Sequence, residues 1–166
     1  VFNKLVARGK RLGEVVSGQI FRGLLTGLND AFIVDQTTHD ELVAADPSCA
    51  SILKPFLRGE DLRPWYQEQE GRWLILFPTK WTKQTFGRDI TEDTAWSKLQ
   101  KKHPSIASYL EPFAADGRAR GDKGNFWWEL RPCDYYPAFE QPKIIWPDVG
   151  KIPRFSYLEA GVYLGN

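Results

Sequence analysis

Apolar positions mark out elements unevenly along the chain. Ile106, Tyr109, Leu110 and Phe113 repeat at i, i+3, i+4 and i+7, which predicts a helix over 104–115 with one face in the core. Thr91 to Lys102 predicts a helix just before it. Trp65-Tyr66 and the apolar run Arg72 to Phe77 flank the polar tip Gln67 to Gly71 and predict a β-hairpin whose second strand is buried. Glu14 to Ile20 and Ala31 to Val34 have the β-branched and aromatic content of strands, with the glycine-punctuated FRGLLTGLN between them. Thr38-His39-Asp40-Glu41 has capping-box spacing and predicts a short helix closed by Asp46-Pro47, with His39 facing solvent in its first turn. Ser48 to Arg63 reads as a helical turn or two, a proline and a polar turn, and Thr79 to Gly87 as a loop. Phe126 to Leu130 predicts a strand, on which alternation puts Trp127 and Trp128 on opposite faces, one in the core and one available. Short strands at Lys143 to Trp146, Arg154 to Tyr157 and Val162 to Leu164 complete the set.

Composition narrows the class. At 166 residues the chain can bury a proper core without staples. Cys49 and Cys133 form no paired motif, and His39 and His103 stand isolated, so no ligand set has zinc spacing and a reduced, cytoplasmic protein is expected. No apolar run approaches the roughly 20 residues of a membrane span, and the N-terminus lacks the form of a signal peptide, so no membrane partner is expected. The net charge of +1 says little, but its distribution is segregated: Lys4, Arg8, Lys10, Arg11 and Arg22 precede an acidic run from Asp30 to Asp46. A chain without methionine, even at position 1, that stops after the strand-like GVYLG is expected to be a piece of a longer protein.

Two stretches carry candidate chemistry. Arg118 to Asp148 interleaves Arg118, Arg120, Lys123, Arg131 and Lys143 with Phe126, Trp127, Trp128, Tyr135, Tyr136 and Trp146, the mixture of cation and ring that nucleic-acid surfaces use. In the glycine-rich stretch, Gly23, Gly27, Thr26 and Asn29 suggest a phosphate cradle, but Leu28 follows Gly27 where a nucleotide loop needs Lys and then Ser or Thr. Catalytic sets are wanting. Asp134, Glu140 and Lys143 miss the nuclease spacing by one residue, and no methylase motif or nucleophile–base set occurs, so the fragment is expected to be non-catalytic.

Six blocks in order, GQIFRGLLTGLNDAFIVD, ILKPFLRGEDLRPW, YLEPF with the basic RARGD, WWELRPCDYY, FEQPKIIWPD and PRFSYLEAGVYLGN, resemble the TaqI-like C-terminal specificity domain. The resemblance covers residues 14–166, after a lead-in segment over 1–13. It implies an α+β fold, a curved, mostly antiparallel sheet with several packed helices, forming a single DNA-recognition domain. It implies a sequence-specific double-stranded DNA recognition module of a restriction-modification or phage-defence adenine-N6 DNA methyltransferase. The methylase domain of the same parent chain, which would bind S-adenosylmethionine, and any endonuclease lie outside this fragment, so no cofactor is expected within it.

Carried over by position, the resemblance points to Thr26, Gly27 and Asn29, to Arg58, Gly59 and Asp61, and to Arg120, Trp128 and Lys143. Arg22, Arg63, Arg118 and Lys123 join them as DNA-contact candidates by charge, and Lys83 and Arg88 because base-reading residues must vary with the target and so belong on loops such as Thr79 to Arg88 or Asp116 to Asn125. On this reading, changing Arg118, Arg120 and Lys123 together to Ala weakens DNA binding and leaves the melting temperature nearly unchanged. An assembly module of such an enzyme, without base readout, is the alternative. A carbohydrate-binding sheet is a third reading, requiring Trp127, Trp128 and Trp146 to line one exposed face.

Overall fold

The computed structural model describes residues 7–68, 70–149, 152 and 154–165 and shows an α+β fold. Its centre is a four-stranded sheet of order β1-β5-β2-β8, formed by β1 (Ile33–Val34), β5 (Trp73–Ile75), β2 (Leu53–Leu57) and β8 (Tyr163–Leu164). β5 pairs antiparallel with β1 and β2, whereas β2 and β8 run parallel in the register Phe56↔Tyr163. An isolated parallel bridge, Leu24↔Gly165, extends that edge. Two ribbons flank the sheet: β3 (Leu62–Arg63) with β4 (Tyr66–Gln67), and β6 (Lys143–Ile145) with β7 (Ser156–Leu158).

The helical side follows from the apolar stripe. α5 (Glu92–Lys102) starts at Thr91, whose hydroxyl accepts from the Thr94 amide, and ends in Lys101 and Lys102, which suit the negative end of its dipole. α6 (Pro104–Leu110) presents Ile106 and Leu110 to the core, with Tyr109 and Phe113 half-buried beside them. Against these helices pack Leu74, Ile75 and Phe77 from the run after Arg72, together with α3 (Gln36–Ala45) through Leu42. A smaller cluster of Leu57, Leu62, Ile145 and Leu158 joins the two ribbons. Among the described residues, no helix is long and apolar enough to cross a membrane.

Several local expectations change. Glu14 to Ile20 is no strand: a single turn, α1 (Leu12–Val15), lies exposed where no neighbouring strand takes up its backbone groups. Ala31 and Phe32 belong to the turn α2 (Asn29–Phe32), and only Ile33-Val34 pair. α3 begins before the expected capping box, because Asp35 accepts from the Thr38 amide at 2.8 Å and is itself the cap. His39 is not simply solvated, since its ring stacks on Trp73 at 3.7 Å. After the 3₁₀ turn Pro47–Ser51, the proline-containing segment is the strand β2. The expected hairpin re-pairs: β4 turns back on β3, while β5 lies between β1 and β2. The apolar positions Phe2, Leu5 and Val6 of the lead-in lie outside the described residues.

The largest correction concerns Glu129. Fully buried, its carboxylate accepts from the amides of Thr82 at 2.8 Å, Asn125 at 2.9 Å and Lys80 at 3.3 Å. It thereby caps α4 (Trp81–Phe86), where a loop was expected, and draws 126–130 into a turn instead of a strand. Trp127 and Trp128 therefore do not alternate between core and solvent; both are buried. Trp127 lies against Gly117, where an added Cβ would come within 2.6 Å of the ring, and Trp128 donates its indole N–H to Thr82 at 2.9 Å. With these rings in the core, they cannot line an exposed sugar platform.

One corner is strained. Pro64-Trp65 joins β3 to β4, and Trp65 sits at φ +76° with 84% of its surface exposed. Positive φ at the second corner of such a turn favours glycine or asparagine. Trp65→Gly is expected to stabilise the fold by about 0.5–1 kcal/mol, relief of the left-handed conformation outweighing the entropy of the glycine in the unfolded chain. Urea denaturation of the two proteins measures the difference.

Candidate nucleic-acid interface

The C-terminal end of β2, the Leu24↔Gly165 bridge and the segment after β6 enclose a hollow of about 700 Å³. Asn29, Arg58, Gly59, Glu60, Asp148 and Arg154 are on its wall. Asn29 is exposed, and its side-chain oxygen accepts from the Thr26 hydroxyl at 2.6 Å, which holds the amide at the rim. Thr26 itself is buried and orders the turn, taking the Leu28 amide on the same hydroxyl at 3.1 Å. Two guanidiniums, two carboxylates and a carboxamide thus share one opening on the edge of the sheet.

Arg58 is held from beneath. Asp61, 1% exposed, accepts the Arg58 backbone N–H at 2.7 Å and the Arg72 guanidinium at 2.7 and 2.8 Å on its two oxygens. The hydrogen bonds that it donates to Asp61 are the main reason that the Arg72 guanidinium titrates above its usual range. The Arg58 side chain stays half-exposed, 3.6 Å from the Glu60 carboxylate, a rim pair that screens it weakly. Asp61 is therefore a buried support whose charge is balanced by Arg72.

The basic stretch behaves differently. Arg120 is 7% exposed and donates to the carbonyls of Trp127 at 2.9 Å, Glu129 at 2.7 Å and Thr26. Lys123 turns its ammonium onto the carbonyls of Arg118 and Arg120 at 2.7 and 2.8 Å. Lys143 does the same with Phe139, Gln141 and Glu159, and burial lowers its pKa. Arg118 remains exposed, paired with Glu92 at 2.7 Å. Arg63 is bound to Glu68 and to the Glu60 carbonyl, both at 2.5 Å. Arg22 and Arg88 are exposed, and Lys83 is half-buried on α4.

Of the residues singled out by sequence, the hollow brings together Asn29 and Arg58, with the turn glycine Gly59 between strand and 3₁₀ turn. Arg120, Trp128 and Thr26 leave the contact set because their side chains are enclosed by protein. Lys143 and Lys123 have their donors committed to backbone carbonyls. Sequence reasoning missed Arg154, which stands in the quoted PRFSY block, and Arg72, whose only signal was a cation at the start of an apolar run.

A second, larger groove of about 1030 Å³ runs between the exposed N-terminal turn and the β6–β7 ribbon, with Phe21, Trp65, Ile144, Trp146 and Phe155 on its walls. Its lining is predominantly apolar, unlike that of the hollow. No family model matches the chain, and no curated protein matches it.

Proposed function

We propose that this chain is the target-recognition module of an adenine-N6 DNA methyltransferase of the restriction-modification or phage-defence kind, and that it grips duplex DNA without catalysing a reaction itself. The observation that carries this reading is the hollow in which Arg58, Arg154 and Asn29 converge. Guanidiniums bind phosphate oxygens or read guanine bidentately, and a carboxamide matches the adenine edge. In the parent chain, the methylase domain supplies the S-adenosylmethionine chemistry, and this module chooses where it acts.

Arg58→Ala and Arg154→Ala are each expected to weaken duplex binding by about tenfold, or ~1.4 kcal/mol, in fluorescence anisotropy at moderate salt. If both act on phosphates, the double variant also lowers the salt slope by about 2. Duplex affinity unchanged in both variants would remove the hollow from the interface. The apolar groove favours a second reading, an assembly module that positions a catalytic domain without touching bases. Under it, the wild-type chain binds no duplex DNA even at low salt.

A further inference from the structure

We propose that Asp46, Cys49 and His103 form a binding site for a zinc-class divalent cation, a staple independent of any DNA contact. One ligand atom from each lies within 4.8 Å of the other two. The sequence hides the site, because its ligands come from two separate junctions. Asp46 ends α3 and opens the 3₁₀ turn Pro47–Ser51, so Cys49, three residues on, hangs beside its carboxylate. His103 lies between α5 and α6, with its ring near those of Phe77 and Trp81 at centroid distances of 6.5 and 6.1 Å.

The distances suit a small tetrahedral ion after a modest adjustment. The Cys49 thiol donates to the second Asp46 oxygen at 3.2 Å. In a tetrahedral zinc site, with bonds of about 2.0 Å to oxygen and 2.3 Å to sulfur, such a pair is about 3.5 Å apart. The thiol proton therefore occupies the edge that the ion would span. On binding, the S–H bond breaks, the proton leaves to solvent, and sulfur and oxygen both bond to the metal. Thiolate and carboxylate then cancel the divalent charge, and neutral imidazole completes the set without adding any. That balance matters where Cys49 is fully buried and His103 nearly so.

The donor types give selectivity. Sulfur and imidazole prefer zinc or cobalt to magnesium or calcium, which want oxygen alone. Asp46 is partly exposed and opens the site to solvent. A fourth position falls to water or to the Ser105 hydroxyl, 3.0 Å from the Cys49 sulfur. The Ser48 hydroxyl lies 3.0 Å from His103 Nδ1 and so helps to fix the orientation of the ring. A bound ion would tie the α3–β2 connection to the α5–α6 junction, joining parts of the core that are distant in sequence.

Cobalt(II) added to the 166-residue chain under reducing conditions tests the site. The expected result is a thiolate-to-cobalt charge-transfer band that zinc abolishes, with saturating zinc raising the melting temperature by about 5 °C. Cys49→Ser and Asp46→Asn should lose the band or weaken metal binding at least tenfold, while Cys133→Ser keeps it. Absence of the band from the wild type overturns the proposal without reference to any variant's folding. So does a band that survives Cys49→Ser and disappears in Cys133→Ser. Neither outcome bears on duplex binding, which the Arg58 and Arg154 variants test.

Discussion

Arg120→Ala is expected to destabilise the fold by about 3–5 kcal/mol, enough to unfold much of a marginally stable domain. The guanidinium joins three backbone segments: Thr26 in the glycine-rich turn, Trp127 in the tryptophan turn, and Glu129, whose own carboxylate caps α4. It also lies 4.2 Å from the centroid of the Phe32 ring. Burial depresses its pKa to about 10, which leaves it charged at neutral pH. Truncation leaves a void and strands carbonyls in the interior, each a loss of roughly 1–3 kcal/mol. Arg118→Ala, exposed and singly paired, should change stability by less than about 1 kcal/mol. The triple change of Arg118, Arg120 and Lys123 is therefore expected to collapse the melt, not to spare it, and Arg120 alone should account for most of the loss. Chemical denaturation followed by tryptophan fluorescence distinguishes these outcomes; an Arg120→Ala protein within 1 kcal/mol of wild type would show the guanidinium to be dispensable.

The second large effect is expected at the support beneath Arg58. Arg72→Met should cost about 3 kcal/mol, because it leaves the Asp61 carboxylate buried without its cation. Adding Asp61→Asn should recover more than half of that loss, since the amide oxygen still accepts the Arg58 N–H and no charge remains to be neutralised. A double-mutant cycle reads the coupling directly, and strict additivity would mean that the pair stabilises nothing jointly. Arg72→Met should also reduce duplex affinity under conditions in which it stays folded, because the turn Gly59–Asp61 sets the position of Arg58.

What could be read from the residues was what repeats locally. Ile106, Tyr109 and Leu110 on α6 and the buried run after Arg72 appear where periodicity and apolarity place them, since burying one face of an element is a nearest-neighbour matter. The helix expected to reach 115 nevertheless gives way at Glu111–Phe113 to a 3₁₀ turn that carries Phe113. Glu129 could not be read that way. Its partners lie 47 positions away at Thr82 and 49 away at Lys80, so no window of sequence shows that an acid will cap a distant helix and turn a strand-like segment. The same limit misdirected attention to Arg118 to Lys123: composition counts cations, but whether they meet solvent or carbonyl oxygen is settled by how the backbone folds around them. Asn29 and Arg58 were legible as turn residues with useful side chains, whereas their meeting with Arg154 depends on the β6–β7 ribbon that precedes the return of β8 to the sheet.

That return also governs timing. β2 lies about a third of the way along the sequence and β8 near its end, so the pairing of Phe56 with Tyr163 is a contact of very high sequence separation, closed at a large entropic cost. The helices and the antiparallel β1-β5-β2 core have nearer partners and can form first. Gly165 lies against the Phe56 ring, where an added Cβ would come within 2.5 Å, and bridges to Leu24. The wall that completes the hollow is thus expected to close later than the core formed by β1, β5 and β2.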